Sequence, residues 1–140
     1  MKGNTNVPTT YLLHLYLKNP KRITIGRLGK FSFKKGHYIY VGSAKKNMSK
    51  RILRHLRKKK KKFWHIDYLL HYTDVKKVWT SNLAEEKMAA LLTEKMEIPV
   101  LGFGSSDKKS KSHLFFIKKG TGYFLDQLFQ KLCVVKTSRL

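Results

Sequence analysis

Acidic residues are scarce in this chain of 140 residues, which carries 8 Asp or Glu against 31 Lys or Arg. The formal net charge of +23 would repel the folded chain from itself, and a polyanionic partner is the simplest reason to keep it. The bland alternative is a solvated charged surface that keeps a small protein soluble. Because carboxylates are few, the candidates for metal binding and for acid–base chemistry can be enumerated.

Cysteine and long apolar runs are also nearly absent. The single Cys133 excludes an intramolecular disulfide and a zinc site built from cysteines. It lies in an apolar run, so we interpret it as a packing residue and not as a nucleophile. No stretch approaches the ~18 apolar residues of a membrane helix, and the N-terminus has no apolar signal core. We therefore expect no membrane partner and a cytoplasmic location.

The densest cluster of cations follows a predicted strand. Between Lys45 and Lys62 the chain has eleven Lys or Arg, one His and no acid. Lys outnumbers Arg 25 to 6 in the whole chain, so most contacts with a nucleic acid should be point charges against phosphate. The predicted nucleic-acid-binding residues are Lys45, Lys46, Lys50, Arg54, Arg57, Lys58, Lys59, Lys60, Lys61 and Lys62.

Apolar periodicity predicts an α+β domain, in which several short strands are mixed with helices. Strands are expected at 11–17, 38–41, 75–79 and 113–117, with a hairpin arm over 22–33. Helices are expected at 49–59, 82–96 and 123–132, while 63–70 is a separate apolar block that is either helical or extended. Residues 1–9 are polar and irregular, which is typical of a loose tail.

Two carboxylates lie among apolar neighbours. Glu85 shares a helical face with Met88 and Leu92, so its carboxylate needs a partner. That partner is either a metal ion or the helix terminus, where Glu85 would form a capping box with Asn82. Asp67 is expected to pair with a histidine or an arginine and to order the basic helix.

Tyr40, Arg51 and His55 are expected to converge where the strand meets the basic helix. Arg51 begins that helix and His55 lies one turn further on the same face, so the arginine could hold a phosphate while the tyrosine or the histidine moves a proton. The alternative is that Tyr40 is a half-buried strand aromatic and Arg51 a generic phosphate contact.

These residues resemble the GIY-YIG nuclease superfamily, and more narrowly a prokaryotic branch sometimes fused to endonuclease III-type glycosylases. The resemblance spans about residues 10–117 and leaves the last twenty outside. It depends on Tyr38-Ile39-Tyr40-Val41-Gly42-Ser43-Ala44, Arg51, Arg54-His55-Leu56, Phe63-Trp64-His65-Ile66-Asp67-Tyr68-Leu69, Glu85, Gly102-Phe103-Gly104-Ser105-Ser106-Asp107 and Ser112-His113-Leu114-Phe115. It implies a small, mainly antiparallel sheet flanked by helices, a nuclease domain over 10–119 and a C-terminal helical extension over 120–140.

The resemblance also implies roles for individual residues in a divalent-metal-dependent hydrolysis of phosphodiester bonds. Tyr40 would be the tyrosine of the second motif and the general base, and Tyr11 would match the tyrosine of the first. Arg51 would steady the phosphate, and His55 would occupy the adjacent Tyr or His position. Glu85 would bind weakly held Mg²⁺ or Mn²⁺. Gly42 would make a turn after the strand.

The chain departs from the superfamily's pattern in three ways. The first motif reads Thr9-Thr10-Tyr11, without the usual glycine. Tyr11 and Tyr40 lie 29 residues apart, farther than is usual, because residues 22–33 intervene. Members of the branch often carry three further cysteines, and the corresponding places here are Glu86, Lys108 and Ser110, so a metal site or redox chemistry built on those cysteines is absent.

The function expected from these observations is a metal-dependent endonuclease that acts in DNA repair or processing. Its partner is a nucleic acid, DNA in preference to RNA, and a glycosylase-type repair protein could act with it. The rival is a non-catalytic nucleic-acid-binding module of the same fold. A structural component of a ribonucleoprotein would also explain the lysines, but it would not need Tyr11, Tyr40, Arg51, His55 and Glu85 together.

Overall fold

The computed structural model describes residues 7–105 and 109–136, and its centre is an antiparallel sheet of five strands in the order β6-β4-β1-β5-β7. A separate two-stranded ribbon is formed by β2 and β3. The strands are β1 Thr10–Leu17, β2 Lys21–Ile25, β3 Gly29–Phe33, β4 Gly36–Ser43, β5 Asp74–Ser81, β6 Leu114–Phe116 and β7 Cys133–Lys136. The helices are α1 Met48–Leu56, α2 His65–Leu70, α3 Glu85–Lys95 and α4 Gly122–Leu132, with a 3₁₀ turn at Gly26–Leu28. The predicted α+β class, with an antiparallel sheet flanked by helices, is confirmed.

The central strand β1 is covered on both faces, because successive side chains of a strand point to opposite sides. On one face Leu13 and Leu15 belong to an apolar cluster that includes Ile52 of α1, Leu69 of α2 and residues of the β2–β3 ribbon. On the other face Leu12 belongs to a second cluster, built from α3 and α4. This double burial explains why β1 reads as an almost continuous apolar run.

The basic helix is shorter than the sequence predicts. Helix α1 begins at Met48, after Asn47 in a left-handed conformation, and it ends at Leu56 instead of Lys59. No apolar residue lies between Leu56 and Phe63. The lysine run, residues 58–62, therefore offers no apolar face that a longer helix could bury. The separate apolar block is partly helical, since α2 covers its last six residues, His65–Leu70.

Gly42 does not make a turn, contrary to expectation. It lies within β4, where it pairs with Tyr11 of β1, and it is not among the glycines with positive φ. A side-chain carbon at Gly42 would overlap the phenol ring of Tyr11. The glycine therefore makes room for that ring.

The chain after β6 packs against the same sheet. Leu125 and Phe129 of α4 lie in the second apolar cluster, and β7 pairs with β5. Strand β7, which includes the partly buried Cys133, was not predicted. Within the described residues, no helix combines the length and apolar character needed to cross a bilayer.

Candidate functional site

A cavity of about 360 Å³ opens at the end of the sheet where β1 begins and β4 finishes. Four of the five residues singled out for chemistry line it, namely Tyr11, Tyr40, Arg51 and Glu85. The fifth, His55, is buried and in contact with Tyr11. The other residues that line the cavity are Ser43, Phe63, Trp64, His65, Gly102, Gly104 and Ser105.

Tyr11 and His55 form a buried hydrogen-bonded pair, with 2.6 Å between the phenol oxygen and Nε2 of the imidazole. Burial raises the pKa of Tyr11 well above its usual value, and the nearby Tyr40 raises it further, although Arg51 opposes the rise. Burial lowers the pKa of His55 to about 4. At neutral pH the pair is therefore a phenol against an uncharged imidazole, which can accept a proton when the tautomer leaves Nε2 unprotonated.

Tyr40 lies beside this pair on the neighbouring strand. Its ring centroid is 6.3 Å from those of Tyr11 and His55, and a T-shaped contact with Phe103 packs it from the loop after α3. Burial raises the pKa of Tyr40 above its ordinary range, and the charge of Glu85 acts in the same direction. Two phenols, both protonated at neutral pH, thus line one cavity.

Arg51 supplies the positive charge of the cavity. One guanidinium nitrogen donates to the backbone oxygen of Ser43 at 2.8 Å, and its Cζ lies 4.6 Å from the centroid of the Trp64 ring. A guanidinium has five N–H donors in a planar fork. The contact with Ser43 fixes the orientation of this fork, and further donors can bind a phosphate oxygen.

Glu85 is the first residue of α3, so the alternative in which it forms a capping box with Asn82 is wrong. The N-cap residue is Ala84, and no side-chain hydrogen bond caps the helix. The Glu85 carboxylate lies 3.0 Å from Nδ1 of His113, a fully buried histidine just before β6. Because an ionised carboxylate can only accept, Nδ1 of His113 carries the proton of this hydrogen bond.

The residues around Glu85 fit a weakly held hard cation. Within residues 7–105 and 109–136 no group of three or more His, Cys, Asp or Glu is placed to hold a metal ion. Mg²⁺ usually keeps several waters and takes one or two carboxylates together with substrate phosphates. Glu85 meets that need as a single carboxylate, since one of its oxygens bonds to His113 and its side chain is partly exposed at the cavity.

Arg54 and Asp67 form a salt bridge beside the cavity, with distances of 2.9 and 3.1 Å between their nitrogens and oxygens. Asp67 also accepts from the backbone N–H groups of Phe63 and Trp64, each at 2.8 Å. Burial alone would raise the pKa of Asp67, but the hydrogen bonds from Arg54 and the two N–H groups hold it below its usual value. The expected pairing of Asp67 with an arginine is confirmed, and Arg54 joins α1 to α2.

The cations predicted to bind nucleic acid divide into two groups. Lys58 donates to the carbonyl of Leu70 at 3.2 Å and Lys60 to those of His55 and Arg57 at 3.0 and 2.6 Å, so both help to fix the loop after α1. The other cations of the predicted interface are exposed, apart from Arg54: Lys45, Lys46, Lys50, Arg57, Lys59, Lys61 and Lys62. These seven side chains can reach a ligand at little structural cost.

Three residues of the site were given no catalytic or metal-binding role from the sequence. His65 accepts from the N–H of Gly104 at Nδ1, at 2.9 Å, so its neutral ring carries the proton on Nε2. Trp64 packs against Arg51, and His113 contacts Glu85. In the sequence, His65 follows Trp64 and His113 precedes Leu114. An apolar or aromatic neighbour suggests that a histidine is partly buried, but it does not predict which distant residue the histidine contacts.

Some expected positions yield less. Ser106, Asp107 and Lys108 lie outside the described residues. Glu86 is exposed on α3, next to Glu85, and is not among the residues that line the cavity. Cys133 is partly buried, and burial raises the pKa of its thiol to about 11, which keeps it protonated and unreactive at neutral pH.

Comparison with known proteins gives one match. A family model described as "Domain of unknown function DUF123" matches residues 10–133, which include every residue that lines the cavity. No curated protein matches the chain significantly, and no solved structure does. The matched segment is most of the sequence and contains the other four strands of the sheet and the first residue of β7. The chain therefore belongs to the DUF123 family.

Proposed function

We propose that this protein is a GIY-YIG-like endonuclease that hydrolyses phosphodiester bonds of nucleic acids with the help of a divalent metal ion. The observation that carries the proposal is the convergence of Tyr11, Tyr40, Arg51 and Glu85 on one cavity, with His55 bonded to Tyr11. These residues come from four different elements. A surface that only binds a phosphate backbone needs cations, but it does not need a buried phenol–imidazole pair or a carboxylate.

Arg51 would bind the scissile phosphate. Its guanidinium is oriented by Ser43 and packed on Trp64, so the charge is fixed in place before the substrate arrives. A positioned cation stabilises the negative charge that develops on the phosphate oxygens during hydrolysis.

The tyrosines would move the proton of the attacking water. The Tyr11 oxygen can accept a proton from water as its own proton passes to Nε2 of His55, 2.6 Å away. This transfer leaves a hydroxide to attack phosphorus and an imidazolium at His55. Tyr40 lines the same cavity and is the alternative general base, the role that the resemblance to the superfamily implies.

Glu85 would hold Mg²⁺ or Mn²⁺, with His113 keeping the carboxylate in position. When bound, such an ion supplies positive charge for the phosphate oxygens and for the leaving group. The hydrogen bond between His113 and Glu85 resembles the outer contacts that commonly orient carboxylates at metal sites. A single carboxylate predicts weak binding in the absence of nucleic acid.

The proposal can be tested with a panel of DNA substrates. Purified protein would be incubated with single-stranded, duplex, flap and abasic DNA, each with Mg²⁺, with Mn²⁺ and with EDTA. We expect cleavage of at least one substrate with metal and none with EDTA. Binding without cleavage of any DNA or of a matched RNA panel would favour the non-catalytic module, for which the seven exposed cations provide the specific support.

A further inference from the structure

Phe63 is an aromatic residue that the fold leaves exposed at the mouth of the cavity. Its exposed fraction is 76%, the largest of any aromatic at the site, and it is one of the residues that line the cavity. It directly follows five consecutive lysines, residues 58–62. Its neighbour Trp64 is mostly covered, so the two adjacent aromatic side chains differ in exposure.

The backbone holds Phe63 in this exposed position. Its N–H donates to Asp67, as does the N–H of Trp64, and the same carboxylate is bridged to Arg54. The Phe63 ring meets Trp64 edge-on, with 5.7 Å between the ring centroids. A ring that is already positioned loses little freedom when it binds, which favours its use as a contact surface.

The charges around Phe63 indicate what its ring contacts. The exposed Lys61 and Lys62 directly precede it. On its other side the Phe63 ring contacts Trp64, and Trp64 in turn packs against Arg51 inside the cavity. A nucleic-acid strand bound by these cations would place a nucleotide against the ring. Bases present a flat apolar face to aromatic side chains, and such stacking tolerates any sequence. In an intact duplex that face is covered by the neighbouring base pairs.

We infer that Phe63 stacks on an unpaired base next to the scissile phosphate. The preferred substrate class is therefore single-stranded nucleic acid, or duplex with an unpaired nucleotide such as a flap or a gap. The inference depends on the proposed function for the identity of the cavity, but the stacking contact itself requires no cleavage.

The test measures binding in EDTA, where no cleavage is expected. A single-stranded DNA oligonucleotide carries the fluorescent base 2-aminopurine, and the same oligonucleotide is also used as a duplex. Wild-type protein should quench the single-stranded probe on binding. Phe63→Ala should abolish the quenching and weaken single-strand binding by roughly 5- to 150-fold, while duplex binding changes less than about twofold. Phe63→Trp should keep both the quenching and the affinity.

Two control variants separate stacking from other effects. Tyr123→Ala removes an aromatic of matched exposure, 77%, on α4, and it should bind the probes like the wild type. Phe63→Leu keeps an apolar side chain without a π face, so it should resemble Phe63→Ala. Equal loss of single-strand and duplex binding in Phe63→Ala, or full retention of both, would overturn the inference and indicate a different role, such as contact with another protein.

The cleavage panel distinguishes this failure from that of the proposed function. If the wild type cuts DNA but Phe63→Ala binds the single strand normally, the inference fails and the proposed function stands. If the wild type cuts nothing while Phe63→Ala loses the single strand selectively, the stacking contact stands and the proposed function fails.

Discussion

The Tyr11 hydroxyl lies 2.6 Å from Nε2 of His55, although the two residues are 44 positions apart in the chain. The contact joins the start of β1 to α1, and it is possible only because Gly42 on the neighbouring strand leaves space for the Tyr11 ring. This pair gives the cavity a phenol with a proton acceptor behind it.

Tyr11 and His55 should act as a unit in the chemical step. Tyr11→Phe removes the hydroxyl and His55→Gln removes the basic nitrogen, so each should lower the single-turnover cleavage rate by roughly 10²- to 10⁴-fold. The double variant should be little slower than the slower single variant, because residues that share one role are strongly non-additive. Rates that multiply independently would contradict the assignment. If the Tyr40 hydroxyl moves the proton, Tyr40→Phe should slow cleavage in the same assay with little loss of DNA binding in EDTA.

Stability should fall between pH 6.5 and pH 4, partly because of His55. Burial lowers the pKa of His55 from 6.5, its ordinary value in an unfolded chain, to about 4 in the folded protein. The unfolded chain therefore binds the extra proton first as the pH falls. The stabilisation is full above pH 6.5 and decreases toward pH 4, by up to about 3 kcal/mol. His14, with a pKa also lowered to about 4 mainly by burial, adds to the same loss.

Urea unfolding across this pH range measures the contribution of His55. His55→Gln should show a flatter dependence of unfolding free energy on pH than the wild type. His71→Gln, a change at an exposed histidine, should keep the wild-type dependence. An unchanged slope in His55→Gln would show that the ring is not buried as described.

The salt bridge between Arg54 and Asp67 should stabilise the fold and position the site. Asp67→Asn removes the charge from a buried side chain that accepts from Arg54 and from two backbone N–H groups. Breaking such a pair from one side should lower the free energy of unfolding by about 3 kcal/mol. Asp126→Asn, on the exposed side of α4, should change it by less than about 0.5 kcal/mol. A loss for Asp67→Asn no larger than for Asp126→Asn would refute this role.

Exposed lysines of the run should carry the salt dependence of nucleic-acid binding. Replacing Lys59, Lys61 and Lys62 with Ala should lower the slope of log affinity against log salt by about 1 for each lysine that contacts a phosphate. The loss of affinity should be the same for nucleic acids of every base sequence. The control replaces three other exposed lysines with Ala: Lys95 at the end of α3, and Lys118 and Lys119 after β6. This triple variant should leave the slope near the wild-type value. Equal slopes for the two triple variants would contradict the location of the interface.

The sequence predicted the parts of the site that are close along the chain. Tyr40, Arg51 and His55 could be brought together because a strand and the following helix determine their positions. The contact between Glu85 and His113 could not, since it joins residues 28 positions apart through the packing of α3 and β6. The sequence predicted that Asp67 pairs with a histidine or an arginine, but only the fold identifies Arg54 as its partner. Strand β7 was missed for a similar reason, since its short apolar run gains structure by pairing with β5.

Glu85 and Glu86 offer the most direct test of the proposed activity. They are adjacent carboxylates at the start of α3, but only Glu85 lines the cavity and bonds to His113. The measurement is single-turnover cleavage, in Mg²⁺ or Mn²⁺, of the substrate that the wild type cuts best, together with affinity for the same DNA in EDTA. Glu85→Gln should lose cleavage while binding persists, and Glu86→Gln should match the wild type in both. Cleavage by Glu85→Gln at the wild-type rate would contradict the account.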